Sequence, residues 1–161
     1  MSLQRFLKAK RLVRVHPTPA EIAGLLETAD RDLADAAAAG LSADGKFIFG
    51  YGASQALAAA VVRAAGYKTR GQGHHQTLFA ALAVLMPADK AAAKYFDKCR
   101  EKRNRISYER PRQASATEAD EIVKEARAFR DKVLAWLVAN FPALIPPPPP
   151  TSPSAPVGAK P

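Results

Sequence analysis

Apolar residues recur along this chain at intervals of three and four, the period of a helix with one buried face. The first such run is Ile22, Leu25, Leu26, Ala29, Leu33 and Ala36. Thr18 stands at its N-cap, Pro19 at its first helical position and Glu21 where a capping box needs an acid. Gly40 stops it. Ser42 caps a second helix that carries Phe47, Tyr51, Leu57, Val61 and Val62 and ends at Gly66. Gly50 and Gly52 inside it each cost about 1 kcal/mol relative to alanine, so the pattern predicts close packing of a neighbouring helix there. HHQTLFAALAVLM reads as a shorter helix halted by Pro87, and a fourth runs from about Ala88 to Tyr108, barred by Pro111. Thr117 opens a fifth, on which Ile122, Ala126, Phe129, Val133, Trp136 and Leu137 form one stripe. No stretch alternates with the period of a strand. The expected fold is all-α, an up-and-down bundle of about five helices over residues 18–141.

Both ends differ from this middle. Residues 1–17 form a basic extension with Arg5, Lys8, Lys10, Arg11 and Arg14 and no acid, expected to pack on the domain rather than serve as a transit peptide. Residues 142–161, rich in proline, read as a disordered tail whose polyproline II bias suits an SH3- or WW-like partner but buries little. No uninterrupted apolar run reaches the length of a membrane span, so no membrane partner is expected and the cytoplasm is the expected location. The lone Cys99 allows neither an internal disulfide nor a cysteine-rich zinc site and reads as a core residue.

Charge sharpens the picture. There are 24 Lys and Arg against 15 Asp and Glu, a net +9, which points to an anionic partner. The excess concentrates between Lys94 and Arg112, where eight bases face three acids. Within that stretch, the stripe Ala92, Phe96, Cys99, Ile106 leaves position 103 on the apolar face, yet the residue there is Arg103. Arginine is seldom buried without a partner. Asn104 adjoins it, Tyr108 lies one turn beyond Asn104, and Arg100, Lys102, Arg105 and Arg110 surround them. A guanidinium fork, an amide donor and a phenol converging at a helix end suit a phosphate. GYKTRGQGHH has the glycines and bases of a turn but lacks the Gly-Lys-Ser/Thr of a phosphate loop.

The pattern Arg103-Asn104-x-x-x-Tyr108 on the penultimate long helix resembles the HEPN superfamily, whose signature is Arg, often Asn, and a histidine shortly after. Upstream, the segment from AEIAGLL to the GYK–HH corner is similar to the first helix pair of bacterial HEPN proteins, and the likeness covers residues 19–140. The resemblance implies a compact bundle and a homodimer whose two arginine motifs share one cleft. It implies RNA or nucleotide binding, in many members with metal-independent ribonuclease activity. In cleaving members the arginine holds phosphate charge and the histidine moves the proton of the attacking 2′-hydroxyl. Many members are toxins paired with a nucleotidyltransferase antitoxin encoded alongside, and a stress-response role belongs to the same expectation.

Tyr108 stands where that pattern has histidine, and a phenol with a reference pKa near 10 is a poor base at neutral pH. His75 is the candidate for a nearby imidazole. His74 and His75 are adjacent, so they cannot form the i, i+4 pair of a zinc site, and neither metal nor cofactor is expected. The competing expectation is a non-catalytic adaptor bundle, with Arg103 buried against Glu21, Asp30 or Asp44 and the proline tail recruiting a partner.

Overall fold

The computed structural model describes residues 2–145 of the chain. It is an all-α bundle of six helices: α1 (Leu3–Lys8), α2 (Pro19–Ala36), α3 (Ala43–Ala64), α4 (His74–Leu85), α5 (Lys90–Tyr108) and α6 (Ala116–Asn140). A two-stranded antiparallel ribbon pairs β1 (Leu12–Arg14), between α1 and α2, with β2 (Tyr67–Thr69), between α3 and α4, Val13 lying opposite Lys68.

Local chemistry explains most boundaries. Thr18 Oγ1 accepts the Glu21 N–H at 3.3 Å and starts α2; Ser42 Oγ accepts the Gly45 N–H at 3.0 Å and starts α3. The last helix begins at Ala116, just before the expected Thr117. Ser115 is its N-cap, and Ser115 and Glu118 exchange side-chain and backbone hydrogen bonds as a complete capping box. A 3₁₀ turn at Pro87–Asp89 replaces the start expected for the fourth long helix.

Helix α3 is the axis of the bundle, with α2 and α6 as its main neighbours and α4 and α5 beside them. By length and composition it could cross a membrane, although Ser54, Gln55 and three glycines interrupt its apolar run; here two-thirds of its most apolar window is buried inside the protein. Both interior glycines mark close approaches. A Cβ on Gly50 would lie 2.8 Å from Ile122 Cγ2 of α6, and one on Gly52 would lie 2.5 Å from Asp32 Oδ2 of α2. The core is alanine-rich with a chain of rings through it: Tyr51, Phe79, Phe96 and Phe129, each pair of neighbours between 5.3 and 6.3 Å apart.

The N-terminal extension is part of this fold. Phe6 of α1 and Leu12 of β1 are buried in the core, and the strands correct the expectation of a bundle without any. At the other end Pro142–Leu144 form a 3₁₀ turn against α2, with Leu144 and Ile145 on the core, so the proline-rich part of the tail begins later than position 142. Residues 146–161 lie outside the described residues. Between α5 and α6 the chain turns sharply at Arg112, whose φ is +63°. Asp44 in the first turn of α3 holds that turn, its carboxylate accepting the Arg112 N–H at 2.6 Å and the Ala114 N–H at 2.8 Å.

Candidate functional site: a cationic cleft between α4 and α5

The C-terminal half of α5 crosses the start of α4, and between them opens a cleft of about 240 Å³. Its walls are Gly73, His74, His75 and Gln76 on one side and Arg100, Arg103, Asn104 and Tyr108 on the other. The four α5 residues are spaced three, one and four apart and so share a face. On the α4 side Gly73 takes φ +69° at the N-cap and supplies no side-chain cap, so the first N–H groups of the helix have no capping oxygen, and the first helical residues, His74 to Gln76, line the cleft.

Arg103 is half-buried, its guanidinium carbon 6.0 Å from the centre of the Tyr51 ring. It forms no ion pair among the described residues. The three acids expected as its partners are engaged elsewhere: Glu21 with Arg63 at 3.2 Å, Asp30 with Arg130, and Asp44 with the turn at 112–114. A sealed arginine–carboxylate pair with any of them is therefore ruled out. Arg100 is steadied by Asp97 one turn back, Nε to Oδ1 at 2.9 Å, and still borders the cleft.

Behind Arg103 lies a polar chain that no short sequence pattern marks. The His75 ring is held at both nitrogens, Nε2 to Gln55 Nε2 at 2.7 Å and Nδ1 to Tyr51 Oη at 3.2 Å. With the Gln55 amide donating to Nε2, Nδ1 carries the hydrogen and donates to the phenol. Burial pushes the His75 pKa down to about 4, helped by His74, Arg103 and Arg100, and burial raises that of Tyr51. His75 is thus neutral at pH 7 with both nitrogens committed, which makes it a wall of the cleft and not its free base. His74, exposed and packed edge-on to His75 at 4.1 Å, is the imidazole open to the cleft. The signal for Gln55 was available: the only amide side chain of α3, one turn after Tyr51 and on the same face.

A stability consequence follows from His75. Its folded pKa lies below the ordinary 6.5, so the unfolded chain binds the proton more readily, and stability rises with pH across this window. The contribution is complete above about pH 6.5 and is lost as pH falls toward about 4. Melting temperature should drop over that interval, and His75→Gln should flatten the drop relative to wild type. An unchanged pH profile in the variant would show that the imidazole is not held neutral.

The other expected residues separate. Lys102 and Arg105 lie on the opposite side of α5, bordering a hollow with Cys99, Glu118 and Glu121; Lys102 is bound to Glu118 and reaches the Gln113 carbonyl at 3.4 Å. They do not reach the cleft, because Arg100, Arg103, Asn104 and Tyr108 fan out over about 140° to one side of position 103, whereas 102 is turned about 100° to the other side and 105 falls beyond the fan at about 200°. Arg110 is exposed in the turn after α5 and lines neither. Tyr108 is 80% exposed at the cleft's edge.

An alanine-rich helical bundle whose penultimate long helix presents an unpaired arginine and asparagine to a cationic cleft defines the class of this protein. The model of the SAV_6107-like HEPN family matches residues 36–134, from the end of α2 to the last turns of α6, and the chain belongs to that family. No curated protein and no solved structure matches the chain significantly.

Proposed function

We propose that this chain binds RNA or a nucleotide through a phosphate seated on Arg103, between the N-terminus of α4 and the C-terminal half of α5. One observation carries the reading: a half-buried arginine with no counter-ion among the described residues lines a cleft whose opposite wall is a helix N-terminus without a side-chain cap. Both features attract the same ligand, since helix N-termini and arginine forks each favour phosphate oxygens. Asn104 adds a neutral donor, and the exposed ring of Tyr108 offers a face on which a base can stack. The same exposed ring leaves the cleft open on one side, where a second copy of the chain completes it in a homodimer; light scattering at micromolar concentration measures this directly.

Strand cleavage is a second reading, favoured by His74. It is the one imidazole bordering the cleft whose ring nitrogens are not held by the protein among the described residues. In that role it takes the proton of a 2′-hydroxyl as that oxygen bonds to the adjacent phosphorus and the P–O5′ bond breaks, giving a 2′,3′-cyclic phosphate and a 5′-hydroxyl that takes its proton from water, while Arg103 holds the developing charge. Membership of a toxin–antitoxin or stress system, and a nucleotidyltransferase partner, belong with this second reading.

Titration of ¹⁵N-labelled protein with uridine monophosphate tests the site. Amide resonances of residues 73–76 and the Arg103 side chain should shift together, while Lys102 and Arg105 stay in place. Shifts confined to Lys102 and Arg105 would move the site to the other side of α5. Incubation with single-stranded RNA then separates the two readings: cleavage lost in His74→Ala, with affinity retained, supports the second.

A further inference from the structure

The cations of the N-terminal segment do not line the cleft, yet β1 sets Arg11 beside β2, whose chain leads on to the cleft wall. Residues 2–20 hold five cations and no acid, and the stretch from Gly66 to Ala88 adds Lys68 and Arg70, again with no acid. None of these side chains is in an ion pair among the described residues. The ribbon sorts them. Leu12 pairs with Thr69 and is buried, so the faces alternate and the opposite face, with Val13 and Lys68, is the outer one. One step further along the ladder the Arg70 N–H donates to the Arg11 carbonyl at 2.9 Å, which sets Arg11 opposite Arg70 on that outer face. Lys68 and Arg70 are exposed; Arg11 rests its guanidinium over the Phe6 ring at 5.5 Å.

Like charges facing one another across a strand pair are destabilising. Here Arg11 and Arg70 face one another one step beyond the end of the ribbon, and Lys68 lies on the same face of β2, with no acid to offset them. A polyanion relieves that repulsion. From Arg70 the backbone passes through Gly71, Gln72 and Gly73 to His74 at the cleft wall, a path of at most about 14 Å. Glycines in left-handed conformation at 71 and 73 leave Gln72 as the only side chain on this connection.

We propose that the outer face of the ribbon, Arg11, Lys68 and Arg70, continues the cleft's phosphate site and carries the backbone of a single-stranded RNA whose neighbouring phosphate sits on Arg103. The inference rests on the proposed role of the cleft and adds an extended, sequence-independent track to it. The ribbon offers cations and no pocket for a base, so it contributes affinity and salt dependence rather than base preference.

The test uses the full chain and two probes: a labelled oligouridylate of about eight nucleotides, long enough to cover both surfaces, and uridine monophosphate, which fills the cleft alone. The double variant Lys68→Ser/Arg70→Ser, with Arg70→Glu as a second variant, should bind the oligonucleotide about tenfold more weakly at low salt, with the salt slope reduced by about 1.4. Binding of uridine monophosphate should be unchanged. Arg103→Lys should weaken both probes. If the ribbon variants bind the oligonucleotide with wild-type affinity and slope while Arg103→Lys does not, the track is overturned and the cleft stands. If wild type binds neither probe, the cleft reading falls and the track with it. Loss of binding to anionic lipid vesicles in the ribbon variants, with RNA binding intact, would reassign the ribbon to a membrane surface and overturn the proposal.

Discussion

Replacing Arg103 with alanine should weaken binding of single-stranded RNA by about 50-fold while lowering the melting temperature by only a few degrees. The first half follows from charge-assisted hydrogen bonds to phosphate, worth about 1.5–3 kcal/mol. The second follows from the absence of a buried counter-ion among the described residues: removal strands no carboxylate, so the 3–5 kcal/mol cost typical of breaking a buried pair does not arise. Within the protein, the change removes the approach of the guanidinium to the Tyr51 ring at 6.0 Å, worth about 0.5–1 kcal/mol. Arg103→Lys keeps the charge but loses the planar fork, and its affinity should fall by about tenfold. Fluorescence anisotropy across a salt series, with thermal melts of each variant, checks both halves. Wild-type affinity in folded Arg103→Ala would refute the phosphate site; unfolding of that variant would show that Arg103 is structural.

Gly50→Leu should cost about 3 kcal/mol or more, a loss at the upper end of what overpacking a helix contact produces. A Cβ there meets Ile122 Cγ2 at 2.8 Å and Val123 Cγ2 at 3.2 Å, and the Val123 amide nitrogen at 3.4 Å leaves the backbone of α6 little room to retreat. The contrast is Gly24→Ala in α2. Nothing lies within 4 Å of its Cβ, so relief of the glycine penalty should stabilise by about 0.5–1 kcal/mol. Urea unfolding of the two variants beside wild type gives opposite shifts of the midpoint. Similar shifts would mean that α3 and α6 are not packed at this distance.

Helix period and caps make the bundle readable, because the long helices α2, α3 and α6 each have their own starter at Thr18, Ser42 or Ser115 and a stripe that must be covered. Strands of three residues show no alternation, so the ribbon is invisible until β2 supplies a partner for β1. Thr117 and Ser115 are both good N-caps, and only Ser115 has Glu118 at the reciprocal position, which decides where the last helix starts. Within the site, Arg103 is conspicuous as a charge on an apolar stripe. Sequence proximity groups Lys102 and Arg105 with it, but helix angle decides and sends them to the other side. The anchoring of His75 depends on Tyr51 and Gln55, 24 and 20 residues away, and such an arrangement exists only after α3 and α4 have packed.

Cys99 sits on the buried side of α5, one turn before Arg103, with 7% of its surface exposed. Burial pushes its thiol up to about 11. Since the thiolate is the reactive species, alkylating reagents and mild oxidants should react only slowly with the closed bundle. Labelling of this single thiol, which borders the hollow beside Lys102, is therefore slow in the closed bundle and quickens when α5 separates from its neighbours, so its rate reports on that motion. The molecule thus carries a built-in clock for the helix that forms one wall of its cleft, readable by mass spectrometry without altering a residue, and a ligand bridging α4 and α5 would slow it.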